Sequence, residues 1–163
     1  MEAASESHDS LRPHASDYNA VIIASLARND IESVENAHAV LQRLLKRYHG
    51  QLEKLRNSRI PFHIKERPNS TSFITIMPAF SKRGNLKHVE VVEDMLQEMG
   101  DMQIAKLQAS EELMNAHANV SQNSIAANAL LEMYVKYSKV DPSFLRKAEN
   151  LMKRTGNLEP SRE

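Results

Sequence analysis

Cysteine and tryptophan are both absent from this 163-residue chain, and glycine occurs only four times. Without cysteine there is no disulfide scaffold, no Cys-ligated zinc and no thiol nucleophile. Four scattered glycines supply neither a phosphate-cradling loop nor a G-x-S-x-G elbow, and the seven histidines never form an H-E-x-x-H pair. Long apolar runs are missing as well, since none approaches the ~18 residues that a membrane span needs. Charge of one sign is not in excess: 21 Lys and Arg face 21 Asp and Glu, so the total announces neither a nucleic acid nor a membrane surface. The start, MEAASESHDS, lacks the basic, acid-poor character of a signal or transit peptide, and residues 1–12 read as a flexible lead-in. These absences predict a soluble, intracellular, non-catalytic protein with no cofactor and no metal site.

What is present is enough apolar material, 41% of residues, to bury a core of one domain, here expected over residues 13–161. The even total hides a split along the chain. Arg43 to Arg67 carries eight basic residues against two acids, whereas Asn85 to Asn115 carries seven acids against two lysines. Such polarisation lets one stretch steer an anion, although a basic run of this kind is also an ordinary solvated face.

A helix face is written three times. VENAHAVLQRL from Val34 returns as VEVVEDMLQEM from Val89 and as LRKAENLMKRT from Leu145, about 55 residues apart. A second segment precedes each copy: YNAVIIASLARN from Tyr18, FITIMPAFSKRG from Phe73 and ANALLEMYVKYS from Ala127 align without a gap. Tyr18, Ile22 and Leu26 form one helical stripe, and Val34, Ala37, Leu41 and Leu44 form another. The later copies keep the second stripe through Val89, Val92, Leu96 and Met99, then Leu145, Ala148, Met152 and Thr155. Each copy is therefore a pair of amphipathic helices, with repeat units near 13–67, 68–121 and 122–161.

Punctuation agrees with the pairing. Gly84-Asn85 and Asp141-Pro142 separate the two helices of the second and third copies. Gly100 and Gly156 follow the last periodic residue of a second helix, where a left-handed residue is expected. The spacer after Leu44 reads as a helical extension followed by a loop broken by Pro61 and Pro68. The spacer after Met99 carries Ile104, Leu107, Glu111 and Met114 at helical spacing, and so prolongs or adds a helix. Pro78, inside the first helix of copy two, should kink it. A lone helical hairpin cannot bury its own apolar face, so repeated hairpins stack and share a core. The predicted fold is all-α, a right-handed α-solenoid of about three helix-turn-helix repeats with extended spacers.

Residues RPHASDYNAVIIASLARN with VENAHAVLQRL, and RPNSTSFITIMPAFSKRGNL with VEDMLQEM, resemble the unit of the pentatricopeptide repeat (PPR) family. QNSIAANALLEMYVKYSKVDPSF with LRKAENLMKR is similar, with Ala127 in place of the aromatic. The resemblance runs from about Pro13 to Ser161 apart from the spacers, and the long period looks like that of the longer-spaced members. The tetratricopeptide pattern, its nearest rival, wants a Trp that this chain lacks.

The resemblance implies single-stranded RNA binding in RNA processing or stabilisation, in a mitochondrion or plastid. It pairs the residue just after the aromatic with the one five places before that residue's counterpart in the next unit: Asn19 with Asn69, Ile74 with Asn123, and Asn128 with Ser161. Asn both donates to and accepts from a base edge, whereas Ile74 reads nothing. Asn19 and Asn128 near helix starts also suit caps, and Asn69 and Asn123 also suit turns. Arg28, Lys82, Arg83 and Lys136 fall near the ends of the first helices, where the family contacts phosphates, and the basic run from Lys46 to Arg67 adds attraction. Solvated helix ends explain them equally. His38 and His88, beside or on second helices, read as surface residues. Three repeats would meet about three bases, few for tight specific binding. The alternative is a protein-protein interaction module using the acidic second-helix surface around Met95, Met99, Met102 and Met114. A degenerate repeat fragment is a third reading.

Overall fold

The computed structural model describes residues 13–56, 67–109 and 116–156. Among them are six helices and no strand: α1 (Ala15–Leu26), α2 (Ile31–Arg56), α3 (Ser70–Arg83), α4 (His88–Ala109), α5 (Ala116–Tyr137) and α6 (Ser143–Gly156). The lead-in, Pro61, Glu111, Met114 and Ser161 lie outside the described residues. The chain divides into two compact units, Met1–Ser72 and Phe73–Glu163. The first holds α1, α2 and the opening turn of α3, and the second holds the remaining helices.

In the first unit, the backbone N–H of His14 donates to Asp17 Oδ2 at 2.7 Å, and this acid in the first turn of α1 also favours the helix dipole. α1 ends where Asn29 turns left-handed, at φ 63°, with its N–H on the Leu26 carbonyl at 3.2 Å. Asn tolerates that conformation because its short amide bonds locally. Asp30 then caps α2, its Oδ1 accepting from the Ser33 N–H at 2.7 Å. α1 packs against α2. Ile22 and the stripe Val34, Ala37, Leu41, Leu44 and Tyr48 are buried, each large aliphatic contributing about 1.5–3 kcal/mol relative to exposure. Arg47 lies over the Tyr18 ring, 5.9 Å from its centroid.

In the second unit, Phe73, Ile76, Met77 and Phe80 bury one side of α3. Helical assignment runs unbroken through Pro78, which lacks the N–H that would bond the Ile74 carbonyl. The turn into α4 is tight. Gly84 N–H meets the Phe80 carbonyl at 2.6 Å, and a Cβ on Gly84 would collide with that same oxygen. Asn85 N–H donates to His88 Nδ1 at 3.0 Å, and the His88 ring stacks on Phe80 with centroids 5.0 Å apart. His88 is thus buried rather than on the surface, because it fills the gap beside the glycine.

Val89, Val92, Met95, Met99 and Met102 are buried along α4, which packs against α5. α5 in turn packs against α6, where Tyr134 stacks on Phe144 with centroids 5.7 Å apart. Ser143 N–H donates to Asp141 Oδ1 at 2.8 Å at the break marked by Asp141-Pro142, and this bond holds the exposed carboxyl below its ordinary range.

The structure also differs from other readings of the sequence. Gly100 lies inside α4, Gly156 is the last residue of α6, and no described glycine has positive φ. The helices run on because the apolar stripe does, through Tyr48 in α2 and Met102 in α4. α5 likewise starts at Ala116, well before the aligned segment at Ala127. The described methionines of the expected interaction surface, Met95, Met99 and Met102, are core, and the exposed side chains described on α4 are Glu90, Asp94, Gln97 and Asp101. Met99→Ala should therefore cost about 2–5 kcal/mol in equilibrium urea unfolding. A loss within about 0.5 kcal/mol would return Met99 to the surface.

Candidate functional site

The first expected pair is brought together. Asn19 is the fifth residue of α1 and does not cap it, and Asn69 stands immediately before α3. Asn19 Nδ2 donates to Asn69 Oδ1 at 3.2 Å across 50 residues of sequence, and Ser72 Oγ donates to Asn19 Oδ1 at 2.6 Å. Asn69 also caps α3: the Ser72 N–H bonds its Oδ1 at 3.2 Å and its carbonyl at 3.0 Å. The capping and pairing roles thus coexist in one side chain. Asn19 is half-buried and Asn69 exposed, so the cluster sits at the surface, with amide donors and acceptors within reach of a solvent-borne group.

The other pairs are not assembled in this way. Ile74 is half-buried on α3, and Asn123, inside α5 rather than at a turn, lines a groove that Ile74 does not line. Asn128 is exposed within α5, too deep in the helix to cap it. It lines an open depression with Leu131, Glu132, Val135 and Lys136. Its expected partner Ser161 lies outside the described residues.

Among the described residues, Arg28 and Lys136 have partners within the chain. Arg28 reaches Asp30 at 3.4 Å and Glu32 at 3.7 Å, exposed pairs worth little each. Lys136 Nζ donates to the Gly84 carbonyl at 3.1 Å. Lys82 is exposed and Arg83 half-buried in the last turn of α3, where positive charge complements the helix dipole.

Sequence reasoning missed a groove of about 580 Å³ between α4, α5 and α6, whose walls include Gln97, Asp101, Asn150 and Arg154. At one end Glu93 Oε1 accepts from Tyr134 Oη and from Lys147 Nζ, both at 2.8 Å. Lys147 also lies 5.4 Å from the Phe144 centroid. Burial, followed by the hydrogen bond and charge of Glu93, pushes the Tyr134 phenol well above the ordinary tyrosine range. The arrangement ties three helices together, with the phenol kept as a donor. Nothing in the spacing of EVVED or EMYVKY signals it, because the three residues meet only across helix pairs.

No protein-family model, curated protein or solved structure matches the chain. Among the described residues no helix is long and apolar enough to cross a membrane.

Tyr134 makes a pH prediction with a definite sign. Above about pH 10 an unfolded tyrosine loses its proton while the folded Tyr134 keeps it, so the unfolded state binds fewer protons and stability falls as pH rises. One of the four tyrosines should ionise late in an ultraviolet titration of the folded protein. Tyr134→Phe should remove that late phase and flatten the alkaline loss of stability. A wild-type curve in which all four ionise together would contradict the Glu93 contact.

Proposed function

We propose that this protein binds single-stranded RNA, without catalysing a reaction on it, through first helices arranged as a right-handed solenoid of pentatricopeptide-like hairpins. The observation that carries this reading is the contact of Asn19 with Asn69, two residues singled out to act on one base and found within hydrogen-bonding distance of one another. A splayed base can be read on its edge by two or three such side chains. Asn19 and Asn69 offer amides at one point, held by Ser72 from below. An incoming base edge would exchange the weak bond between the amides for bonds of its own, each worth about 0.5–1.5 kcal/mol net.

Asn128 would act similarly on α5, and the exposed Lys82 with Arg83 would meet phosphates. Ile74 leaves the middle position without a polar reader. The acidic face of α4 would repel a phosphate backbone, which directs the strand to the first helices.

Binding of short single-stranded RNA pools, followed by fluorescence anisotropy at physiological salt, tests the reading. Asn19→Ala should weaken the preferred pool by about 1–3 kcal/mol. Asn69→Asp keeps the capping oxygen but removes the amide donor, so it should alter base preference while leaving the thermal midpoint nearly unchanged. Lys82→Ala should weaken all pools alike and lower the salt slope by about one. Equal, feeble retention of every pool by the wild-type protein would overturn the proposal.

A further inference from the structure

The three aligned copies allow each exposed apolar side chain to be compared with its counterparts. Aligning Tyr18, Phe73 and Ala127 places Val21 beside Ile76 and Leu130, and Leu26 beside Ser81 and Val135. Aligning Val34, Val89 and Leu145 places Leu96 beside Met152, and Glu93 beside Glu149. The same positions have different fates. Val89 is buried on α4, whereas Leu145 is 51% and Met152 52% exposed on α6, with Val135 62% exposed on α5. At the other end, Leu130 is buried on α5, whereas Val21 is 50% and its neighbour Ile23 57% exposed on α1.

Within the second unit the structure displays what covers the first kind of face. The hairpin of α5 and α6 sits on that of α3 and α4. Glu132 bonds Ser81, Tyr137 Oη and Lys136 Nζ reach the Gly84 carbonyl, and Tyr134 and Lys147 meet Glu93. The last hairpin repeats the receiving surface, with Val135 in place of Ser81, Ser138 in place of Gly84, Leu145 in place of Val89 and Glu149 in place of Glu93. The first hairpin repeats the arriving surface, with Val21 in place of Leu130, Ile23 in place of Glu132 and Arg28 in place of Tyr137. The polar contact Glu132 to Ser81 becomes the apolar match Ile23 to Val135, and Arg28 supplies a donor where Tyr137 supplied one.

We infer that the chain associates head to tail with a second copy of itself, the α5–α6 hairpin of one protomer receiving the α1–α2 hairpin of the next. The two faces are different surfaces, so the contact is heterologous and either closes a ring or extends. It is independent of RNA binding, which the association would serve by lengthening the array. Six hairpins in a pair of chains would present twice the reading positions of one.

Two double variants separate this from any other mode of association. Leu145→Glu with Met152→Glu blocks the receiving face, and Val21→Glu with Ile23→Glu blocks the arriving face. All four side chains are exposed, so both proteins should keep the wild-type circular dichroism and thermal midpoint. In sedimentation equilibrium the wild-type protein should show mass rising with concentration, and each variant alone should stay at the 18.5 kDa of one chain. Mixed in equal amounts, the variants should form a one-to-one complex of twice that mass, because each keeps the face that the other lacks. The inference is overturned if the wild type stays monomeric at all accessible concentrations. It is equally overturned if either variant self-associates as the wild type does, or if the mixture shows no complex. Protein treated with ribonuclease should behave identically, which keeps this outcome distinct from the fate of the RNA proposal.

Discussion

One constraint governs the second unit: the apolar stripe of α4 cannot be covered by a single partner helix. Val89, Val92, Met95, Met99 and Met102 are all buried, and α5 is among the helices that bury them. Once α5 is there, its polar groups must be satisfied too. Tyr134 is buried and would cost about 1–3 kcal/mol if its hydroxyl found no partner. Glu93 supplies one, and the carboxylate brought into the interface is in turn offset by Lys147 from α6. The carbonyl of Gly84 receives Tyr137 and Lys136 by the same logic. The hydrophobic term decides that the helices meet, and these charge-assisted bonds set where along their length they do so.

Much of this was legible in the sequence because it depends on local chemistry. The stripes in α2 and α4, the Asp141 start of α6 and the break at Gly84-Asn85 each follow from residues a few positions apart. Helix lengths were not legible, because a single glycine was given too much weight. Gly100 weakens α4 by about 1 kcal/mol relative to alanine, whereas Met102 beyond it gains about 1.5–3 kcal/mol on burial, so the helix continues. His88 was misread for a related reason. A polar residue at the start of a helix looks solvent-facing until a glycine four residues earlier leaves room for its ring on Phe80.

On the RNA-binding proposal, the Asn19 and Asn69 contact would serve two purposes with one geometry. As a cap, Asn69 needs only its Oδ1 and the Ser72 N–H; nothing in that role calls for Asn19. As part of a base-reading pair it needs a neighbour whose amide faces the same point. An amide pair that bonds itself, with a serine hydroxyl fixing Asn19 Oδ1, is preorganised rather than idle. If the proposal holds, little side-chain entropy would be left to lose on meeting a base edge. Ile74 has no such partner chemistry, so the cost of stripping water from a base at that position would go uncompensated.

A repeat array has a difficulty at its ends that a closed bundle lacks. The residue pattern that packs α5 on α3 and α4 recurs in the other hairpins, where Val21, Ile23, Leu145 and Met152 stay exposed. Natural arrays resolve this by making the last repeat atypical, with charges on its outer face. On the α5–α6 hairpin Val135 stands where α3 has the Ser81 that bonds Glu132, so that face is the more apolar of the two. The first hairpin makes the complementary change, Ile23 standing where α5 has Glu132. Val135 and Ile23 are thus both apolar where their counterparts in the contact of α5 with α3, Ser81 and Glu132, are polar, and a matched change of this kind is what a contact between the two exposed faces requires.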